Sequence, residues 1–254
     1  MKTIKLSILC LLAFSFQGTL SKTNTNRISF PVPTIHQEAT SIWRTINDIQ
    51  FFEKQGYKVH LPKHPQIDSL IIKSKKGEFG NDDYPTIYSL VETTFYNEKN
   101  YTKAIEKVNA DKALINSLIS SIDTSRTDWD WKFKMFDQYK IVFTLYGTGG
   151  SYDSDRGTIT LFTNKEGEFM NYKSPANTII HEITHMGMEG EIVQKYRLSH
   201  GLKERIVDTF VYLLFKDQLP EYRIQNMGNP KIDNYLKTKE DIASLNKILS
   251  EFTH

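Results

Sequence analysis

The sequence predicts an α+β fold, because apolar residues recur at helical spacing early and late in the chain and alternate in the middle. The chain has 254 residues, of which 39% are hydrophobic and 24% charged, so it can bury a core in one large or two small domains. We expect a helical N-terminal region at 22–124 and a second unit at 125–254 that contains a small antiparallel sheet.

The first 21 residues have the pattern of a signal peptide. Two lysines precede an apolar run over 6–16, which as a helix would span about 16 Å, roughly half of a bilayer core. Thr19 and Ser21 fit the small residues of a cleavage site. We expect a secreted or periplasmic product, with an uncleaved N-terminal anchor as the alternative. No later segment is apolar enough to span a membrane.

Charge and cysteine content exclude several classes of partner and site. The leader holds two of the 32 lysines and arginines and none of the 30 acidic residues, so the mature chain would carry 30 of each charge. This balance argues against nucleic acid or an anionic membrane surface as the main partner. Cys10, in the leader, is the only cysteine. The mature chain would therefore have no disulfide, thiolate metal site or cysteine nucleophile.

The residues between the leader and the sheet are mostly helical in pattern. The polar stretch 22–29 is expected to be a loose tail. Apolar residues spaced three and four apart predict a helix over 35–54, ended by Gly56, and Pro62 and Pro65 indicate a loop. Two further helices are predicted, over 84–96 and 98–122.

Alternation then replaces the helical period. Apolar residues alternate with charged ones over 129–135, and a second alternating run covers 139–145, which together predict a β-hairpin. Residues 158–163 predict a third strand, and from Ser174 onward the chain is expected to be helical. The strand at 157–163 is a candidate sheet edge, where a substrate can add as a further strand.

The motif His181-Glu182-Ile183-Thr184-His185 carries the chemistry. Residues four apart share one face of a helix, so both imidazoles can converge on a single ion, and Glu182 can reach a metal-bound water. Zinc lowers the pKa of such a water toward about 7, and a carboxylate can then take its proton during attack on a carbonyl. Ser174 followed by proline predicts the start of this helix.

A third ligand has to come from another element. Glu189 lies about 12 Å along the helix from His181, too far for metal–ligand distances near 2 Å. On the next predicted helix, Glu204 and Asp208 lie four apart. Glu204 can complete a His₂Glu site, and Asp208 can accept a hydrogen bond from the far nitrogen of a ligating histidine.

His181-Glu182-x-x-His185, eighteen residues and then Glu204-x-x-x-Asp208 together resemble the gluzincin branch of the zincin metallopeptidases. The resemblance covers residues 181–208. It implies a zincin-like fold in which His181, His185 and Glu204 bind zinc, Glu182 is the general base and Asp208 orients a histidine. It also implies a peptide or protein as substrate.

Several alternatives stay open at this point. Tyr196 and His200 are alternative candidates for stabilising the oxyanion, and each can instead be an ordinary residue, His200 at the surface. Asp153 to Gly157 either binds calcium or turns a hairpin. The region 22–124 either shapes the cleft or is a removable pro-segment. A non-catalytic secreted binding protein and a zinc hydrolase of a non-peptide amide or ester are the competing functions. The sequence predicts no oligomeric state.

Overall fold

The structure, a computed structural model, describes residues 26–253. The expected signal peptide at 1–21 lies outside the described residues. Between residues 26 and 253, no helix combines the length and the apolar character needed to cross a bilayer.

The fold is α+β, as the sequence predicts. Within the described residues, the helices are α1 (Ile35–Asn47), α2 (Ile49–Lys54), α3 (Pro65–Lys75), α4 (Tyr84–Leu90), α5 (Thr102–Ala110), α6 (Lys112–Ser125), α7 (Pro175–Met188), α8 (His200–Phe215), α9 (Lys239–Ala243) and α10 (Leu245–Phe252). The strands are β1 (Ile28–Ser29), β2 (Tyr139–Thr144), β3 (Ser151–Asp153) and β4 (Thr158–Phe162).

Most predicted helices are present but are divided. The helix predicted over 35–54 is interrupted at Asp48, between α1 and α2, and the one over 98–122 is interrupted at Asp111, between α5 and α6. A π-helical turn extends α4 to Phe95. The loop expected around Pro65 is instead the start of α3, where the proline occupies the first turn and His64 caps the N-terminus.

The sheet is mixed, so the expected antiparallel sheet is wrong. Its strand order is β1-β2-β4-β3, with β1–β2 and β2–β4 parallel and β3–β4 antiparallel. Ile28 and Ser29, expected in a loose tail, form β1 beside Tyr139 and Lys140. The strand expected as the edge, 157–163, contains β4, which lies between two partners, and β3 is the edge instead.

The predicted hairpin of 129–135 with 139–145 is also wrong. Only the second run forms a strand, β2, while 129–135 is irregular and packs on helices. Trp131 donates its indole hydrogen to the backbone oxygen of Ile242, and Phe133 stacks on Phe210 with 5.7 Å between ring centroids. The alternation reflects one-sided burial of an extended segment without strand pairing.

Two apolar cores support the fold. The larger contains the inner face of the sheet, with Ile141 and Phe143 of β2 fully buried, together with residues of α5, α6, α7 and α8. This core draws residues from both sides of residue 125. The smaller core joins α1, α3 and α4. Buried Glu38 links the two, because it accepts hydrogen bonds from Tyr101 Oη and from the backbone nitrogen of Leu145.

The other face of the sheet is polar and borders an open cleft. Lys140, Thr158 and Thr160 line this cleft together with residues of helix α1. Side chains of α7 and α8, among them those of the sequence motif, line the same cleft.

Candidate metal centre

Helix α7 presents the motif because its start is capped and its length is buried. Ser174 Oγ accepts a hydrogen bond from the backbone nitrogen of Ala176, and Pro175 occupies the first helical position, as the sequence predicts. Ile179, Ile180 and Ile183 have no exposed surface. The helix is therefore held on its apolar side, which leaves the histidines to face the cleft.

Helix α8 brings the third polar group to the same place. Ser199 caps its N-terminus, and the helix packs against α7 through buried apolar residues that include Ile206 and Phe210. Glu204 is 8% exposed and Asp208 is fully buried. Two buried carboxylates on one helix need partners, because an unpaired charge in a core is strongly destabilising.

His181, His185 and Glu204 converge on one point. The two Nε2 atoms are 3.0 Å apart, and Glu204 Oε2 lies 3.4 Å from Nε2 of His181 and 3.2 Å from Nε2 of His185. This buried group can hold a metal ion.

The donor set fits a tetrahedral cation. Ligands that bind zinc at 2.0–2.1 Å with tetrahedral angles are themselves about 3.3 Å apart, close to the three observed separations. Three lone pairs that converge at this spacing also repel one another unless a proton or a cation lies between them. With three protein ligands, a fourth position stays open for a small molecule.

His181 is anchored on its far side. Its Nδ1 is 2.7 Å from Tyr222 Oη and 3.1 Å from Asp208 Oδ1. Asp208 also accepts hydrogen bonds from Tyr222 Oη and from the backbone nitrogen of Gln225. Asp208 thus lies at the far nitrogen of a histidine, the position predicted from the sequence, and Tyr222 lies beside it, although no sequence pattern points to that tyrosine.

The protonation of the metal-free group follows from burial and hydrogen bonding. Burial lowers the pKa of His181, but hydrogen bonds to Asp208 and Glu204 outweigh it and raise the pKa to about 10. Burial and the charge of His181 lower the pKa of His185 to about 4. Burial opposes ionisation of Glu204, but hydrogen bonds from both histidines hold its pKa well below the usual range.

Glu182 lies on α7 beside the first ligand and lines the cleft. It is 5% exposed, and burial, only partly offset by the charge of His181, raises its pKa to about 7. Its carboxylate packs against the backbone at Gly150, where a Cβ atom would lie 2.2 Å from Glu182 Oε1. The absence of a side chain at Gly150 is therefore what admits this carboxylate.

The cleft around these groups has a volume of about 900 Å³. Its walls come from α1 and α2 on one side and from β3 and α7 on the other, over the polar face of the sheet. Residues of the N-terminal region, among them Phe51 and Tyr57, line the same cleft as His181, His185 and Glu204. The volume matches that of sites for drug-sized ligands or short peptides.

The two candidates for stabilising the oxyanion, Tyr196 and His200, differ in whether they line the cleft. Tyr196 donates its hydroxyl to the backbone oxygen of Asn246, 2.7 Å away, and does not line the cleft. His200 does line it, with Nδ1 3.7 Å from Glu204 Oε1 and Nε2 2.8 Å from Tyr57 Oη. Of the two candidates, His200 therefore lies at the cleft and Tyr196 does not.

Two acidic residues considered from the sequence are engaged elsewhere. Glu189 accepts a hydrogen bond from Tyr152 Oη at 2.9 Å, away from the histidine pair. Asp153 Oδ1 accepts hydrogen bonds from the backbone nitrogens of Asp155 and Arg156, which shapes the turn between β3 and β4. Residues 153–157 thus form the turn of a β-hairpin, one of the two alternatives predicted for them from the sequence.

Comparison with protein-family models, with curated proteins and with solved structures gives no match for this chain.

Proposed function

We propose that the protein is an exported zinc-dependent metallopeptidase of the gluzincin type. The observation that carries the proposal is the convergence of His181, His185 and Glu204 within hydrogen-bonding distance of one another, with Glu182 in the same cleft. Signal-peptide-like residues 1–21 support the export of the chain.

The donor set favours zinc among divalent cations. Two imidazoles and one carboxylate, with no thiolate, form a ligand set common in catalytic zinc sites, whereas magnesium and calcium prefer oxygen ligands alone. When bound, zinc lowers the pKa of a water ligand and polarises a carbonyl oxygen. His181, His185 and Glu204 would hold it.

Glu182 would act as the general base. It takes a proton from the water that attacks the scissile carbonyl carbon and passes that proton to the leaving amine as the C–N bond breaks. Its position suits both steps, because the carboxylate is buried in the cleft one residue from His181.

Four further side chains would support the reaction. Asp208 and Tyr222 fix the ring of His181 through Nδ1, which keeps Nε2 directed at the cation. His200 would donate a hydrogen bond to the oxyanion, because it lines the cleft beside Glu204. Tyr57 would orient His200.

A peptide or protein substrate fits the cleft. Strand β3 is the sheet edge beside α7, so an extended peptide can add along it through backbone hydrogen bonds. The involvement of α1, α2 and Tyr57 in the cleft favours the N-terminal region as part of the site over a removable pro-segment.

The test measures bound zinc and peptide cleavage for three forms of the chain from residue 22 onward: the wild type, Glu182→Gln and Glu191→Gln. Glu191 is an exposed glutamate outside the cleft, so it is the matched control. We expect one bound zinc per chain in all three proteins and cleavage of a mixed peptide library by the wild type and Glu191→Gln. Glu182→Gln should lose turnover by about 10²–10⁴-fold.

The other outcomes select the competing functions. Undiminished cleavage by Glu182→Gln would eliminate the mechanism. Zinc binding without turnover of any substrate would favour the non-catalytic binding protein, and turnover of amide or ester compounds without peptide cleavage would favour the non-peptide hydrolase.

A further inference from the structure

The two histidines of the metal centre are supported unequally. Nδ1 of His181 is held by Tyr222 and Asp208. Nδ1 of His185 is buried, and no hydrogen-bond partner reaches it among residues 26–253. The orientation of a histidine that binds metal is usually fixed by the groups that contact its ring, so the side chains packed against His185 are the ones to consider.

Tyr152 is the group that contacts this ring face to face. Its ring lies parallel to that of His185, with 5.0 Å between centroids and 9° between planes. A parallel stack constrains the plane of an imidazole, because rotation about the Cβ–Cγ bond would drive the ring edge into the neighbouring face. The edge of the His181 ring packs nearby, with 4.6 Å between centroids and 82° between planes.

Tyr152 is itself held at both ends. Its backbone pairs with Ile159 of β4, and its hydroxyl donates to Glu189 Oε2 at 2.9 Å. Lys203 Nζ lies 3.4 Å from that hydroxyl and 5.5 Å from the ring centroid, and it is also 3.5 Å from Glu204 Oε1. The ring thus joins the edge strand to both ligand-bearing helices.

We propose that Tyr152 is a positioning residue that fixes the ring of His185 for metal binding. Its aromatic face does for His185 what the hydrogen bonds of Asp208 and Tyr222 do for His181. The inference rests on the metal site of the proposed function, and it concerns metal affinity, which is measured without any peptide.

The test uses the affinity of the chain for Zn²⁺, measured by competition with a chromophoric chelator. Tyr152→Leu removes the ring and the hydroxyl, Tyr152→Met keeps apolar volume without a planar face, and Tyr152→Phe keeps the ring alone. Tyr212→Leu is the control, because Tyr212 is a partly exposed tyrosine outside the cleft. The absorption spectrum of the Co²⁺-loaded proteins reports the geometry of the ligands independently of affinity.

We expect Tyr152→Leu and Tyr152→Met to weaken Zn²⁺ binding by about 10–100-fold, the loss that follows removal of a residue that orients a ligand. Their Co²⁺ spectra should change, whereas Tyr152→Phe and Tyr212→Leu should bind within about threefold of the wild type. If Tyr152→Leu does not fold, Tyr152→Met against Tyr152→Phe makes the same comparison.

Wild-type affinity in Tyr152→Met, or an equal loss in Tyr152→Phe, would overturn the inference. These outcomes are distinct from failure of the proposed function. A wild-type chain that binds Zn²⁺ tightly but cleaves no peptide would contradict the peptidase while the role of Tyr152 stands.

Discussion

Substitution of Gly150 by alanine places one methyl group against the proposed general base. An ideal Cβ at this position lies 2.2 Å from Glu182 Oε1, 3.1 Å from Glu182 Cδ and 2.8 Å from Thr178 Cγ2. Non-bonded carbon contacts are favourable only near 3.5–4.0 Å, so the overlap is about 1 Å. Either the side chains of Glu182 and Thr178 or the backbone just before strand β3 has to move by that amount.

The expected effect is a loss of turnover with metal binding intact. A displacement of about 1 Å in a catalytic site can reduce the rate by about 10²-fold, so we expect kcat to fall by roughly this factor. Overpacking costs about 1–3 kcal/mol, which in a chain of this size lowers the melting temperature by about 2–12 °C. Bound zinc should be unchanged, because the overlap involves none of the three ligands.

The assay is steady-state cleavage of a peptide that the wild type hydrolyses, with zinc content measured on the same preparation. Gly190→Ala is the matched control, since a Cβ there meets nothing within 4 Å, and it should keep wild-type kcat. Wild-type kcat in Gly150→Ala would refute the placement of Glu182 against this strand. Loss of zinc would show that the disturbance is not confined to the base.

Three further predictions follow from the same region. Tyr57→Phe removes the hydroxyl that contacts Nε2 of His200, so it should lower kcat about 10-fold and leave KM and the zinc content unchanged. Tyr196→Phe, the control, should keep the wild-type kcat, and equal kcat values for the two variants would contradict the role of Tyr57. Zinc at about 1,000 times its dissociation constant should stabilise the wild type by about 4 kcal/mol, measured as a rise in melting temperature that a chelator reverses. A similar rise in Glu204→Gln would show that the zinc binds at another site. In the metal-free protein, Glu182 has a folded-state pKa of about 7 against 4.5 in the unfolded chain, so the native state retains a proton between these values. The contribution of Glu182 to the free energy of unfolding should therefore decrease by up to about 3 kcal/mol as pH rises from 4.5 to 7. It is measured in denaturant titrations as the difference in unfolding free energy between the wild type and Glu182→Gln. A difference that does not change with pH would contradict the burial of this carboxylate.

The local part of the metal centre could be predicted from the sequence. The spacing of His181 and His185 fixes their common face through helix geometry alone, and Ser174 with Pro175 fixes where that helix begins. Glu204 required one more assumption, that a second amphipathic helix returns beside the first, and the buried face of α8 satisfies it.

The side chains that support the centre could not be predicted. Tyr222, Tyr152 and Tyr57 come from three other parts of the chain, and among thirteen tyrosines no spacing distinguishes them. Their roles depend on which loops and strands pack against α7 and α8, which is tertiary information. The role of Gly150 depends on the close approach of the Glu182 carboxylate, which comes from a different part of the chain.

The sheet shows where periodicity misleads. The alternation at 129–135 marks a segment with one buried side, and Trp131 and Phe133 achieve that burial against Phe210 without a partner strand. The short strand β1 lacked any pattern, because two residues are too few to show a period. Parallel pairing of β2 with β4 depends on the insertion of β3 at the edge, which alternation cannot reveal.

The central claim is that two histidines and one glutamate from neighbouring helices bind a single divalent cation. The most direct test is the zinc content and Zn²⁺ dissociation constant of the wild type and of Glu204→Gln, with Glu191→Gln as control. We expect one zinc per chain in the wild type and the control, and an affinity lower by more than about 100-fold in Glu204→Gln. A wild-type chain that binds no stoichiometric zinc, or a Glu204→Gln variant that binds zinc equally well, would show that these three side chains are not the ligands.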